Sequence, residues 1–355
     1  MDRRHFNTAK LTAAATGLTA CAALLLAGCG KPATPEPVSV SVLPPAVATR
    51  VPAPEPVREL VWPLTGVPTD KVAKRPALSI KIENSPSARP QIGIDQADIV
   101  YEEVVEGGIT RFIAVFQSKN PKQVAPVRSV RPMDANIVAP LGGLLAYSGG
   151  QRAFLGLAPA AGLQVISMDR GDAGFSRMPG RAAPHNVLGD TTAFWKQAKG
   201  DHKKLPDPAF EYASSAEEST AATAGSPIDE LSVQMSQGFN PRWKWDEGKF
   251  LRSEGSTPAT VADGTRLSAA NVVVLKVKLE TTKYRDPAGT AVPETIVIGS
   301  GKGLVISAGK AIEVEWKKKD TASPVILTAN GEDVELAPGN TWVELMPNSQ
   351  SWSKN

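Results

Sequence analysis

Cysteine is nearly absent from this chain of 355 residues: there are two, Cys21 and Cys29, both close to the N-terminus. No disulfide framework can staple the remainder, so its core must rest on ordinary burial. Histidine is almost as scarce, with three copies. Only His185 lies in a segment expected to fold, since His5 sits in the leader and His202 beside a linker. A metal site built on imidazoles is therefore excluded, and Mg²⁺ or Ca²⁺ would have to use carboxylates alone. Neither a metal nor a cofactor is expected. An excess of charge of one sign is also missing. The 39 basic and 36 acidic side chains leave a formal charge of +3, which falls to about +1 once residues 1–28 are removed. Global electrostatics thus argues against a nucleic-acid partner.

The one long apolar run, "LTAAATGLTACAALLLAGC", follows the basic start "MDRRHFNTAK". It is at the short end for a membrane span and has no basic stop-transfer cluster behind it, so it reads as a secretory signal peptide over 1–28. Its last four residues, Leu26-Ala27-Gly28-Cys29, resemble the lipobox of bacterial lipoproteins. That resemblance implies cleavage before Cys29 and acylation of its thiol. The expected address is extracytoplasmic, with the membrane as partner through the N-terminal lipid. Arg3-Arg4-His5-Phe6 also resembles part of a twin-arginine signal, and both export routes stay open.

Residues 29–59 are rich in proline, alanine and valine and form an extended tether. Between 60 and 200, strand-length apolar runs such as "ALSIKIEN", "IVYEEVV" and "ITRFIAVFQ" alternate with the candidate helices "RPMDANIVAPLG", "QRAFLGLAPAAG" and "DTTAFWKQAKG". A polar, small-residue stretch at 201–229 reads as a linker or long insertion. From 230 to 348 only strands separated by Gly, Asn, Pro and Asp turns are legible. The expected fold is α+β, with an N-terminal mixed-sheet domain carrying packed helices and a β-rich C-terminal domain. Trp243 and Trp245 alternate on one strand face, where packing is favoured over glycan stacking.

Residues 86–186 hold eight arginines and two lysines, whereas residues 200–355 hold four arginines and thirteen lysines. A reversal inside one chain points to a need for planar, permanently charged donors in the first domain. Two readings remain open for these charges. In one, Arg111, Arg128 and Arg131 pair with Glu102, Glu103 or Glu106 in a half-buried lattice. In the other, Arg89, Gln91, Arg111, Arg128, Ser129 and Arg131 line a cleft for a phosphate or carboxylate. The turn Ser148-Gly149-Gly150, followed by a helix from Gln151, would add backbone donors, although it has no Walker, dinucleotide or G-x-S-x-G spacing. His185 and Asn186 close the set, with Glu103, Glu106 and His185 as acid or base candidates should the site be catalytic.

The blocks "IENSPSARPQIGIDQADIVYEEVVEGGITRFIAVFQ", "PVRSVRP", "YSGGQ", "PHN", "WKWDEGKFLR" and "AANVVVL" resemble those of the YerB-like bacterial lipoproteins. The resemblance implies a two-domain, lipid-anchored envelope protein and brings no substrate or catalytic residue with it. A fainter resemblance, in spacing and order only, is to envelope enzymes that transfer glycopolymers from polyprenyl pyrophosphate, whose full acidic and arginine pattern is lacking here. The leading expectation is a binding or accessory lipoprotein that holds an anionic envelope ligand, a phosphorylated lipid or wall polymer. An envelope transferase or hydrolase and a protein-binding scaffold are the alternatives.

Overall fold

The computed structural model of the protein describes residues 59–355; the leader, Cys29 and the tether up to residue 58 lie outside the described residues. Strand dominates. The first half supplies β1 (Leu78–Glu83), β2 (Ile99–Val104), β3 (Thr110–Phe116), β4 (Leu144–Tyr147) and β5 (Gln164–Ser167). The second half supplies β6 (Glu230–Val233), β7 (Pro241–Asp246), β8 (Lys249–Glu254), β9 (Asn271–Arg285), β10 (Gly299–Ser307), β11 (Lys310–Lys318), β12 (Ile326–Ala329), β13 (Glu332–Asp333), β14 (Thr341–Pro347) and β15 (Trp352–Lys354).

A 13-stranded sheet runs through both halves: eleven strands follow the order β13-β12-β11-β10-β9-β14-β2-β3-β1-β4-β5, and the other two lie off this path, Ser226–Pro227 beside β11 and Ala291–Ile296 beside β9. Its seam is β14, which pairs in parallel with β9 on one side and with β2 on the other, placing Glu344 opposite Glu102. A smaller, 6-stranded sheet built around β8, β7, β6 and β15 covers one face, where Leu231, Trp243 and Phe250 pack with Ile82, Phe112 and Trp342. On the other face Met133, Ile137 and Phe154 pack against Tyr101 and Ile113. Every residue of β1, β2, β3 and β14 is buried. Strands covered on both faces are ordinarily apolar, so the charged residues they carry must find partners inside the fold.

The helices are shorter than the sequence pattern suggests. α1 (Asp134–Val138) runs into a 3-10 turn at Ala139–Leu141 that contains Pro140 and ends at Gly142. α2 (Leu157–Ala160) begins six residues after Gln151, and α3 (Thr191–Lys196) starts where expected, with Asp190 accepting from the Ala193 N–H at 3.0 Å. A layer of packed helices over the first half is therefore reduced to short segments, with proline and glycine interrupting the apolar runs of α1 and α2. The 201–229 stretch lies along the second half of the sheet. Its α4 (Thr220–Ala224) is capped by Ser219, residues Ser226–Pro227 pair with β11, and Phe210 and Ala221 are buried.

One side chain fastens the seam. Arg252 on β8 is fully buried and donates to Glu102 at 2.6 Å, Glu254 at 2.8 Å and Glu344 at 2.9 Å. Its guanidinium lies 4.7 Å from the Trp342 ring centre, 5.2 Å from Trp243 and 5.3 Å from Phe112. Burial opposes the cation, but the three glutamates outweigh it and push the Arg252 pKa up. Burial and the neighbouring Glu102 raise Glu344 well above the carboxylate range, while Glu102, burial notwithstanding, is held below it by Arg252 and by hydrogen bonds from Glu344 and Thr110. The acid surplus is thus borne unequally, Glu344 holding a proton more readily than Glu102. Arg252→Ala strands two acids among three aromatic rings and is expected to cost about 3–5 kcal/mol. Urea titration should show that loss, with both halves unfolding at the same lowered midpoint.

Candidate functional site

Register builds the site. Arg111 on β3 stands opposite Glu83 on β1 and opposite Glu103 on β2, so the three side chains form a row on the sheet face away from Arg252. Lys81, two residues before Glu83, lies on the same face. The segment after Ala125 is laid across the ends of these strands. Its backbone is fixed by Arg128 N–H donating to Lys81 O at 2.9 Å, Ser148 N–H to Arg128 O at 3.0 Å and Val130 N–H to Gly149 O at 2.9 Å. Arg128, Ser129 and Arg131 are thereby carried over Arg111.

Deepest in the row is a sealed trio. Lys81 donates to Glu103 and, at 2.8 Å, to Asp134 at the start of α1, with all three side chains fully buried. One ammonium cannot neutralise two buried carboxylates. Burial first, and the adjacent Asp134 second, push Glu103 up to about 8 against the opposing pull of Lys81.

Nearer the surface, Arg131 clamps Glu106 through Nε at 2.6 Å and Nη2 at 2.8 Å, and its Nη1 donates to Val130 O at 2.9 Å. Glu106 is presented by a turn in which Gly107 and Gly108 both take left-handed backbone, φ 68° and 70°, a conformation that strongly favours glycine. Glu83 accepts from Ser85 Oγ at 2.9 Å, lies 2.9 Å from His185 Nδ1 and 3.4 Å from Arg128 Nε. Arg128 and His185 retain 19% and 28% side-chain exposure, and so form the mouth of the cluster. Arg111 differs from both neighbours. It donates to Ser129 O at 2.9 Å but makes no ion pair among the described residues. Burial, then Arg131 and Arg128, lower its pKa to about 9.

The remaining expected residues lie elsewhere or serve the scaffold. Arg89 sits on the other face, bonded to Asn84 at 3.0 Å and Glu254 at 2.9 Å, and Gln91 bonds the Glu83 carbonyl and Asn84. Asn186 is consumed by Arg177 and by the Arg181 carbonyl. Gly149 and Gly150 meet close packing: a Cβ would come within 1.8 Å of Asp169 Oδ2 at the first and 2.6 Å of Val130 Cγ1 at the second. With a carboxylate against Gly149 and no helix beginning at Gln151, this turn lacks the donor array expected of it. Ser148 joins only through its backbone. Conversely, Lys81, Glu83 and Asp134 belong to the cluster and were not singled out from sequence. The alternating charges of "SIKIEN", set in an otherwise apolar strand, were the available signal.

Residues 64–204 match a family model described as the N-terminal domain of a protein of unknown function (DUF3048), and residues 231–343 match the corresponding C-terminal domain. YerB of Bacillus subtilis (strain 168), whose name proposes it to be a lipoprotein, is 26% identical over 307 residues, 83% of this chain and 88% of its own. The crystal structure of the YerB protein from Bacillus subtilis is similar at a TM-score of 0.69 and 23% identity, covering 83% of this chain and 100% of that one.

The sealed trio makes stability depend on pH with a definite sign. Folded, Glu103 keeps its proton up to about 8, whereas the unfolded chain releases it near 4.5. The trio's contribution must therefore fall as pH rises between those values. Urea midpoints measured across that window should decline in the wild type and decline less in Glu103→Gln, which has no proton to lose.

Proposed function

The chain belongs to the DUF3048 family, carrying both its N-terminal and its C-terminal domain, and from that premise we propose that it is a lipid-anchored extracytoplasmic protein that holds an anionic envelope group at the Arg111, Arg128, Arg131 cluster. The relative named as a lipoprotein and the Leu-Ala-Gly-Cys ending of the leader support the anchor. No helix among the described residues is long and apolar enough to cross a membrane.

The binding reading rests on one observation: Arg111 is buried beside two further guanidinium groups with only Glu83 and Glu106 to balance them, and forms no ion pair of its own. An unbalanced cation in a low-dielectric site is relieved by an incoming anion. Arg128, Ser129 and His185 at the mouth would meet a phosphate or carboxylate directly, with Arg111 and Arg131 behind them supplying field. Binding is preferred to catalysis because Glu103 is sealed under Lys81 and Glu106 is clamped by Arg131. Of the acid and base candidates only His185 faces solvent.

Inorganic pyrophosphate is expected to raise the Tm of the wild type and to leave that of Arg128→Ala unchanged. Arg128→Ala should remain folded in buffer, since Glu83, though buried, keeps Ser85 and His185 as partners. Arg131→Ala, which uncovers the buried Glu106, should by contrast lose about 3–5 kcal/mol. Equal protection of wild type and Arg128→Ala would remove the site. Independently, Cys29→Ser should shift the protein from the membrane pellet to the soluble fraction on ultracentrifugation.

A further inference from the structure

A second concentration of positive charge lies beneath the start of β1, away from the row on the sheet. Lys74, Arg75, Lys196 and Lys203, with Asn120 and Thr192, line an open groove of about 450 Å³ that no carboxylate lines among the described residues. Arg75 is its fixed part. Nε donates to Gln117 O at 2.6 Å, Nη2 donates to Ser118 O at 2.8 Å, and the guanidinium stacks 4.6 Å from the centre of Trp195. Trp195 is itself pinned by its Nε1–H donating to Pro76 O at 3.0 Å. Carbonyls and an indole therefore hold Arg75 in place without neutralising it. Asp98, the acid that acts on it electrostatically, is already engaged by the N–H groups of Gln117 and Ser118. Asp201, next to Lys203 in sequence, pairs with Lys204 at 3.0 Å. The lysines at 74, 196 and 203 are exposed, on flexible stems.

We infer that this groove is a binding site for a phosphate-rich polyanion, one phosphate seated against the edge of Arg75 and its neighbours along the chain met by Lys74, Lys196 and Lys203. A fixed planar cation flanked by mobile point charges suits repeated phosphates better than a single rigid ligand. Sugars and bases are disfavoured because the aromatic face they would stack on is covered by Arg75. The groove is independent of Arg128 and of the reading proposed for that cluster.

The test is calorimetric titration of the full chain with inorganic polyphosphate at low and raised salt. Binding should weaken steeply with salt, as it does when several phosphates are neutralised together. Titrated on an Arg128→Ala background, which removes the contribution of the first cluster, the added triple substitution Lys74→Ala, Lys196→Ala, Lys203→Ala should weaken binding about tenfold or more with an unchanged Tm, its substitutions being exposed. Arg75→Lys keeps the charge but loses the planar edge, and should weaken binding without unfolding the chain. Undiminished binding by the triple variant on that background would overturn the assignment, and so would loss of all polyphosphate binding in Arg128→Ala alone, which would leave the polyanion to the first cluster. Lysine-dependent binding to phosphatidylglycerol vesicles with none to soluble polyphosphate would also overturn it, making the groove a membrane contact.

Discussion

The fold depends on one guanidinium. Arg252 crosses from the small sheet to the seam of the large one and meets Glu102 from the first half and Glu344 from the second. Three aromatic rings remove water from around it, which strengthens each charged hydrogen bond and makes any unpaired member costly. Such an arrangement adds little net stability over an apolar plug of the same shape. What it adds is position, since only one alignment of β2 against β14 brings both acids to the same cation. It also explains why regions matched by separate family models share a sheet rather than a linker-joined contact.

The opposite face of the same central strands carries one cluster of each balance. Around Arg252 there is a surplus of acid, and burial beside Glu102 raises Glu344. In the Lys81 trio the surplus is settled by a proton on Glu103. At Arg111, Arg128 and Arg131 the surplus is cationic, and no proton can settle it because arginine does not readily release one. The first two clusters are closed by their own chemistry. The third is left with a positive remainder, of which Arg128 is the partly exposed member.

The sequence by itself carries the expectation of a leader and of a cysteine for lipid, linear signals that require no partner and that lie outside the described residues. It also determined the strand segments: "ALSIKIEN", "IVYEEVV", "ITRFIAVFQ" and "TWVELMP" carry apolar character and β-branched residues that suit a buried sheet. The arginine bias of the first half was legible too, and it led to Arg111, Arg128, Arg131 and Glu106, which do come together. Only the tertiary structure decided the rest. Helix length turned on where Pro140 and Gly142 interrupt an apolar run. Arg89 and Arg128, expected in one cleft, fall on opposite faces, since two strands of the sheet separate them in the chain. The pairing of β2 with β14, and with it the roles of Lys81, Asp134, Arg252 and Glu344, joins residues far apart in the chain. Local propensity carries no information about such pairings, because the free energy that selects them comes from burying opposite charges together.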